Sequence, residues 1–242
     1  CSNIVGSVNN LKKICKIAHS KNIIVIGDGV SYAPHGFPNV KDLDVDFYTF
    51  SLYKTYGPHV ALLYGKEKIL KKLPNQNHEF LNGMYPYTLN PGGANHEALA
   101  SLIGIYEYFY KMYDHHFSNT KLGIRKKISK INELISQHEE DIANPILKYI
   151  DERKDLTLIG KNKISNKNRA PTIAFFSKKH SSKKISKIFV KNKIATRNDN
   201  FYAWRCLKNL DINPRDGVVR LSFTHYNTIE EVKKIIKVLD KI

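Results

Sequence analysis

Lys54 sits where a lysine can be held at one point. The run Phe47-Tyr-Thr-Phe-Ser-Leu-Tyr-Lys-Thr-Tyr-Gly-Pro-His59 places it behind an apolar, strand-like stretch and ahead of a Gly57-Pro58 turn. A second strand-like run, Val60-Ala-Leu-Leu-Tyr64, follows at once. A lysine amine that is positioned and partly desolvated can form a Schiff base with an aldehyde. Lysine is also the commonest charged residue here, and most lysines are solvated surface groups, so the position alone does not decide. Upstream, Ile23-Ile-Val-Ile-Gly27 is short, apolar and β-branched, which predicts a buried parallel strand. Asp28 stands at its carboxyl end, where open α/β sheets bind ligands. A carboxylate there can pair with a protonated ring nitrogen, or it can simply cap a turn.

Four blocks then resemble one family, in order. Asp28-Gly-Val-Ser-Tyr-Ala-Pro-His35 comes first, followed by Asp44-Val-Asp-Phe-Tyr-Thr-Phe-Ser-Leu-Tyr-Lys54 with Tyr56-Gly-Pro-His59. Asn90-Pro-Gly-Gly-Ala-Asn-His-Glu97 and Gly217-Val-Val-Arg-Leu-Ser-Phe-Thr-His-Tyr-Asn-Thr228 complete the set. Together they resemble the class V aminotransferases, which are fold-type I pyridoxal-phosphate enzymes, and within them the cysteine desulfurase-like branch. The resemblance implies roles. Lys54 would carry the Schiff base to pyridoxal 5'-phosphate and then act as the base at the substrate α-carbon. Asp28 would pair with the pyridine nitrogen, Ser51 would hydrogen-bond the phosphate, and Asn3 the ring oxygen. Arg220 would grip the carboxylate of an amino-acid substrate, for which a guanidinium fork is well shaped. Its alternative is a structural ion pair. Ser31 replaces a His or Gln that touches the ring, Tyr53 replaces a His before the lysine, and Gly93 replaces a phosphate-reaching Thr. His35 and His59 would assist proton transfer or serve as structural hydrogen-bonding groups. A homodimer with its site near the interface is also implied.

In this family the Ser2-Asn3 block lies well inside the large domain. The chain opens at Cys1 in mid-pattern, so it reads as the C-terminal part of a longer protein, lacking the N-terminal part of the large domain. The expected fold class is α/β: a partial fold-type I large domain with a mainly parallel sheet, plus a small C-terminal α+β domain. The expected segments are 1–118 (large domain), 119–153 (bridging helices) and 154–242 (small domain).

Stepping along the chain, Leu11, Ile14, Cys15 and Ala18 share a helical face. Strands are expected near 23–27, 47–51, 60–65, 155–159, 170–176 and 217–224, and helices near 95–113, 119–138, 181–190 and 228–242. Thr228 followed by Glu231 fits a capping box. The aromatic residues Tyr106, Tyr108, Phe109, Tyr110 and Tyr113 are expected in core and interface packing.

The 242 residues suffice for one large or two small domains. No long apolar span predicts a transmembrane helix, so no membrane partner is expected. The three cysteines, Cys1, Cys15 and Cys206, have neither metal-ligand spacing nor a disulfide framework, which points to no metal and to a reducing, cytoplasmic compartment. A desulfurase needs a thiolate on a mobile loop. After Arg197 the place of that thiol falls near Tyr202, and Cys206 comes about one helical turn later, as either a nucleophile or a small packing residue. The net charge of +17 comes mainly from dispersed lysine, which argues against a specific nucleic-acid partner. Two further functions stay open: a catalytically silent relative acting as a partner-binding scaffold, and a basic nucleic-acid-binding protein.

Overall fold

The computed structural model describes every residue except 86, 91, 119, 120, 166 and 167. Pro91, within the Asn90–Glu97 block, and the expected start of a helix at 119 therefore lie outside the described residues. The chain forms two compact units, Asn10–Ile131 and Cys1–Asn9 with Asn132–Ile242.

In the first unit, α1 (Leu11–His19) is amphipathic, buries Cys15, and is capped by the Asn10 side chain, which accepts from Lys13 N–H. Then come β1 (Ile26–Asp28), α2 (Val40–Leu43), β2 (Phe47–Ser51), β3 (Ala61–Gly65) and α3 (Glu67–Leu70). The sheet has the order β1-β2-β3. β1 and β2 are parallel, which requires the crossover through α2, and β2 and β3 are antiparallel across the Lys54 turn. α4 (His96–Ala100) and α5 (Ile103–His116) follow. They replace the single helix expected over 95–113. The break falls at Ser101–Leu102, where the Ser101 hydroxyl turns back to the Ala98 carbonyl (2.8 Å) and competes with helix continuation. On α5, Phe109 and Tyr113 are buried as expected, while Tyr106, Tyr108 and Tyr110 are exposed.

One expectation for β1 needs correction. The strand expected over 23–27 forms at Ile26–Asp28 and is parallel, but of residues 23–27 only Val25 and Gly27 are buried; Ile24 is 56% exposed and Ile26 69% exposed. β1 is an edge strand of this three-stranded sheet.

Asp46 holds β1 in place. Its carboxylate accepts from Val25 N–H (2.8 Å), and the Val25 carbonyl accepts from the N–H groups of Asp46 and Phe47, each at 3.1 Å. His19 Nε2 (2.8 Å) and Lys66 Nζ (3.0 Å) also reach the Asp46 carboxylate. Burial works against ionisation of Asp46, but Val25 N–H, His19 and Lys66 outweigh it and bring its pKa down to about 2.

The long helix α6 (Ile124–Glu152) contributes residues to both units. In the second unit it is followed by β4 (Leu156–Ile159), β5 (Thr172–Ser177), α7 (Ser182–Lys191), β6 (Arg197–Asp199), α8 (Trp204–Asn209), β7 (Val218–Ser222) and α9 (Ile229–Leu239). The sheet order is β4-β5-β7-β6, antiparallel throughout. Its core joins Ile146, Leu147 and Ile150 of α6 to Phe175, Phe189, Val219 and Val232. The capping box at Thr228 and Glu231 forms as expected. The units divide the chain at other points than the expected segments, because Cys1–Asn9 pairs with the segment before β5. Ser7 bridges Arg169, Ala170 N–H donates to Gly6 O (2.8 Å), and Val8 N–H donates to Asn168 O (3.1 Å). The buried Arg169 guanidinium knits this region by donating to the carbonyls of Ile159, Lys161 and Thr172. No helix among the described residues is long and apolar enough to cross a membrane.

Asp46 gives a signed pH dependence. Its folded pKa lies below the unfolded value, so its stabilisation is complete above about pH 4 and is lost as pH falls towards 2. The shift corresponds to about 2 kcal/mol. Denaturant unfolding from pH 5 to pH 2 is expected to show a steeper loss in wild type than in Asp46→Asn. Parallel pH profiles would refute the clamp.

Candidate active site

Two groups of expected residues form, one in each unit. In the first unit the parallel register sets Asp28 opposite Thr49. Side chains two apart share a face, so Asp28, Thr49 and Ser51 lie on the same side of the sheet. Because β1 and β2 run in the same direction, Asp28 and the turn bearing Lys54 emerge at the same carboxyl edge.

The local backbone explains why these groups stay there. Asp28 is exposed, and its Oδ1 accepts from Val30 N–H (2.9 Å), which orients the carboxylate. The turn bearing Ser31 closes as Tyr32 and Ala33 N–H donate to the Gly29 carbonyl. Tyr48 packs against Gly27 and Gly29, and a Cβ on Gly29 would fall inside its ring. Burial, with smaller contributions from Tyr32 and Asp28, pushes the Tyr48 phenol up to about 12, so it stays neutral.

Lys54 sits in a 3₁₀ turn, Leu52–Thr55, half-buried between the buried Leu52 and Thr55. Tyr56 ends the turn in the left-handed region (φ 66°), a strained conformation for a bulky residue. It is held by the Tyr56 hydroxyl donating to Pro34 O (3.3 Å) and by ring contacts to Tyr108 and Phe109. A Cβ on Gly57 would meet the Ile105 side chain. Tyr53 is exposed and stands edge-on to His59 (4.9 Å between ring centroids). His35 is buried, and Gly93 is exposed with open space around it.

In the second unit, Arg220 projects from β7. Its Nη1 donates to the Asn3 carbonyl (3.0 Å), its guanidinium carbon lies 4.1 Å from the centre of the Phe201 ring, and its Nε is buried without a hydrogen-bond partner among the described residues. Burial, then the neighbouring Arg197, lowers its pKa. Asn3 donates through Nδ2 to the Phe201 carbonyl (2.8 Å). Phe201 and Tyr202 both have positive φ (52° and 62°), and Tyr202 is 101% exposed. Cys206 lies on α8 and packs against the cluster of Ile4, Phe201 and Leu207. The structural-ion-pair alternative for Arg220 fails among the described residues, since no carboxylate pairs with it.

The class-V aminotransferase profile matches residues 1–84 and 125–235. The chain belongs to the class-V aminotransferase family. Among its relatives, an aminotransferase-like protein, FGM3, of Gibberella zeae is 32% identical over 245 residues, covering 100% of this chain and 57% of that protein. The cysteine desulfurase-like protein ustD of Aspergillus flavus is 26% identical, covering 100% of this chain and 52% of that one. The cysteine desulfurase CsdA of Escherichia coli superposes with a TM-score of 0.79 at 23% identity, over 99% of this chain and 56% of that one. The apo cysteine desulfurase of Thermococcus onnurineus gives 0.78, over 99% and 57%. The fold is therefore that of the fold-type I enzymes, and the chain spans about half the length of the relatives it matches.

The first-unit donor set fits a pyridoxal-type group. It offers an amine on an anchored turn, a carboxylate at the same sheet edge, and the Ser51 hydroxyl on that face. The Thr55 Oγ1, 2% exposed as a residue, is a buried hydroxyl beside Lys54 with no hydrogen-bond partner among the described residues. Thr55 lies beside Lys54, and Phe201 and Arg197 lie beside Arg220, though none of the three was among the expected site residues. Only the Arg197 position carried a sequence signal, a guanidinium beside a polar Asn/Asp run. Among the described residues no His, Cys, Asp or Glu group could hold a metal ion.

Gly29→Ala is expected to cost about 1–3 kcal/mol by overpacking against Tyr48. A second change, Tyr48→Leu, should recover part of the loss. Thermal melts of the single and double variants check this, and an additive double variant would refute the close packing.

Proposed function

We propose that this chain is the Lys54-bearing part of a pyridoxal-5'-phosphate-dependent enzyme acting on an amino acid. The observation that carries the reading is the parallel β1–β2 register, which brings Asp28 and the Lys54 turn to one edge of one sheet. When bound, the cofactor supplies an electron sink for charge developing at the substrate α-carbon.

Lys54 would hold the cofactor through Nζ and, when its amine is free, would accept or return the α-proton. Its anchored turn limits the amine's search, which favours a productive geometry. Asp28 would keep a proton on the ring nitrogen, its carboxylate being oriented by Val30 N–H. Ser51 would donate to the phosphate, and Ser31 and Tyr53, in the turns after β1 and β2, would help to hold the ring. Asn3 would donate to the ring oxygen, for which its side chain would have to share or release the Phe201 carbonyl. Arg220 binds the substrate carboxylate, and its buried, unpartnered Nε favours an anion there. The working form is a homodimer in the cytoplasm.

The purified protein supplied with pyridoxal phosphate is expected to absorb in the visible, and Lys54→Ala to abolish that band while keeping its far-UV dichroism. Colour that survives Lys54→Ala would sink the proposal. Asp28→Asn should lower turnover while changing stability by less than about 1 kcal/mol, since among the described residues that exposed side chain holds only Val30 N–H.

A further inference from the structure

Arg220 does not stand alone. The antiparallel register of β6 and β7 sets Arg197 directly opposite it, so the two side chains leave the same face of the sheet. Both guanidinium groups lie over the Phe201 ring, at 4.1 Å for Arg220 and 5.9 Å for Arg197. Like charges directly opposite one another destabilise a sheet, and a pair with no counter-charge calls for an explanation. Neither arginine pairs with a carboxylate among the described residues. The nearest acid along β6, Asp199, uses Oδ1 to accept from Asn200 N–H (2.7 Å). The backbone between the arginines is fixed as well. Thr196 Oγ1 donates to the Arg220 carbonyl (2.7 Å), Asn3 Nδ2 holds the Phe201 carbonyl (2.8 Å), and Tyr202 N–H donates to Asn200 Oδ1 (3.0 Å). Phe201 and Tyr202 both accept left-handed backbone to present the ring to the two cations.

We infer that this is a two-point anion site and that the substrate carries a second acidic group: a dicarboxylic amino acid. Arg220, the more buried, takes the α-carboxylate, and Arg197, at the exposed rim, takes the side-chain carboxylate. Opposed Cα atoms in such a pair are about 4.5–5.5 Å apart, a span comparable with that between the carboxylates of a short dicarboxylic acid. The assignment rests on the proposed function for its substrate class; the anion site itself rests on the arginine pair.

The test has two readouts. Without pyridoxal phosphate, thermal shifts are measured with succinate, acetate and inorganic phosphate. With it, absorbance is titrated with L-aspartate, L-glutamate, L-alanine and L-cysteine. Succinate should stabilise more than acetate or phosphate, and the acidic amino acids should bind most tightly. Arg197→Gln should weaken the dicarboxylates by about tenfold or more, while changing monocarboxylates by less than about threefold. Arg220→Gln should weaken both classes. No dicarboxylate preference in wild type overturns the inference without needing any variant, as does a phosphate preference. An Arg197→Gln effect equal on both classes also overturns it. Arg197-dependent succinate binding in a protein that never takes up pyridoxal phosphate would uphold the anion site and remove the proposed function alone.

Discussion

One carboxylate sets the geometry on which the catalytic reading depends. Asp46 accepts from Val25 N–H while its own N–H and that of Phe47 return to the Val25 carbonyl. This closes the start of the β1–β2 pair and fixes its register. A slip of one residue would turn Asp28 to the opposite face from Ser51, because side chains alternate along a strand. β1 has only three residues, so its own ladder is a weak constraint on register. The ion cluster of His19, Asp44, Asp46 and Lys66 supplies what the short ladder lacks, from α1 and from the residue after β3.

The two arginines illustrate the opposite use of charge. Most of the +17 net charge is dispersed lysine, whose effect in salt is diffuse. Arg220 is held by the Asn3 carbonyl and the Phe201 ring, and Arg197 lies over the same ring. Desolvation of Arg220 raises the energy of its uncompensated charge and so favours an anion in a way that a solvated lysine does not.

Elements with strong local signals were readable from the sequence. β2 falls at Phe47–Ser51 as expected, α1 follows its apolar stripe, and the Thr228–Glu231 box starts α9. Family membership and fold were readable from ordered blocks around Asp28, Lys54 and Gly217. What failed to show were features set by tertiary context. The apolar run Ile23–Gly27 looks buried on both faces, yet its burial depends on what covers the sheet edge. β6 is three residues of polar text, and only pairing with β7 makes it a strand. The arginine pair was hidden for the same reason: Arg197 and Arg220 are far apart in sequence and meet by register alone. Pairing of Cys1–Asn9 with residues 168–170 likewise has no local signature.

Trp204, the single tryptophan, begins α8 three residues after Phe201 and is about half exposed. The fourteen tyrosines are spread through the chain, but the indole belongs to the loop that carries the strained Phe201–Tyr202 backbone. Red-edge excitation would therefore make this loop visible by its own fluorescence, without an attached dye, and separate its movements from those of everything else.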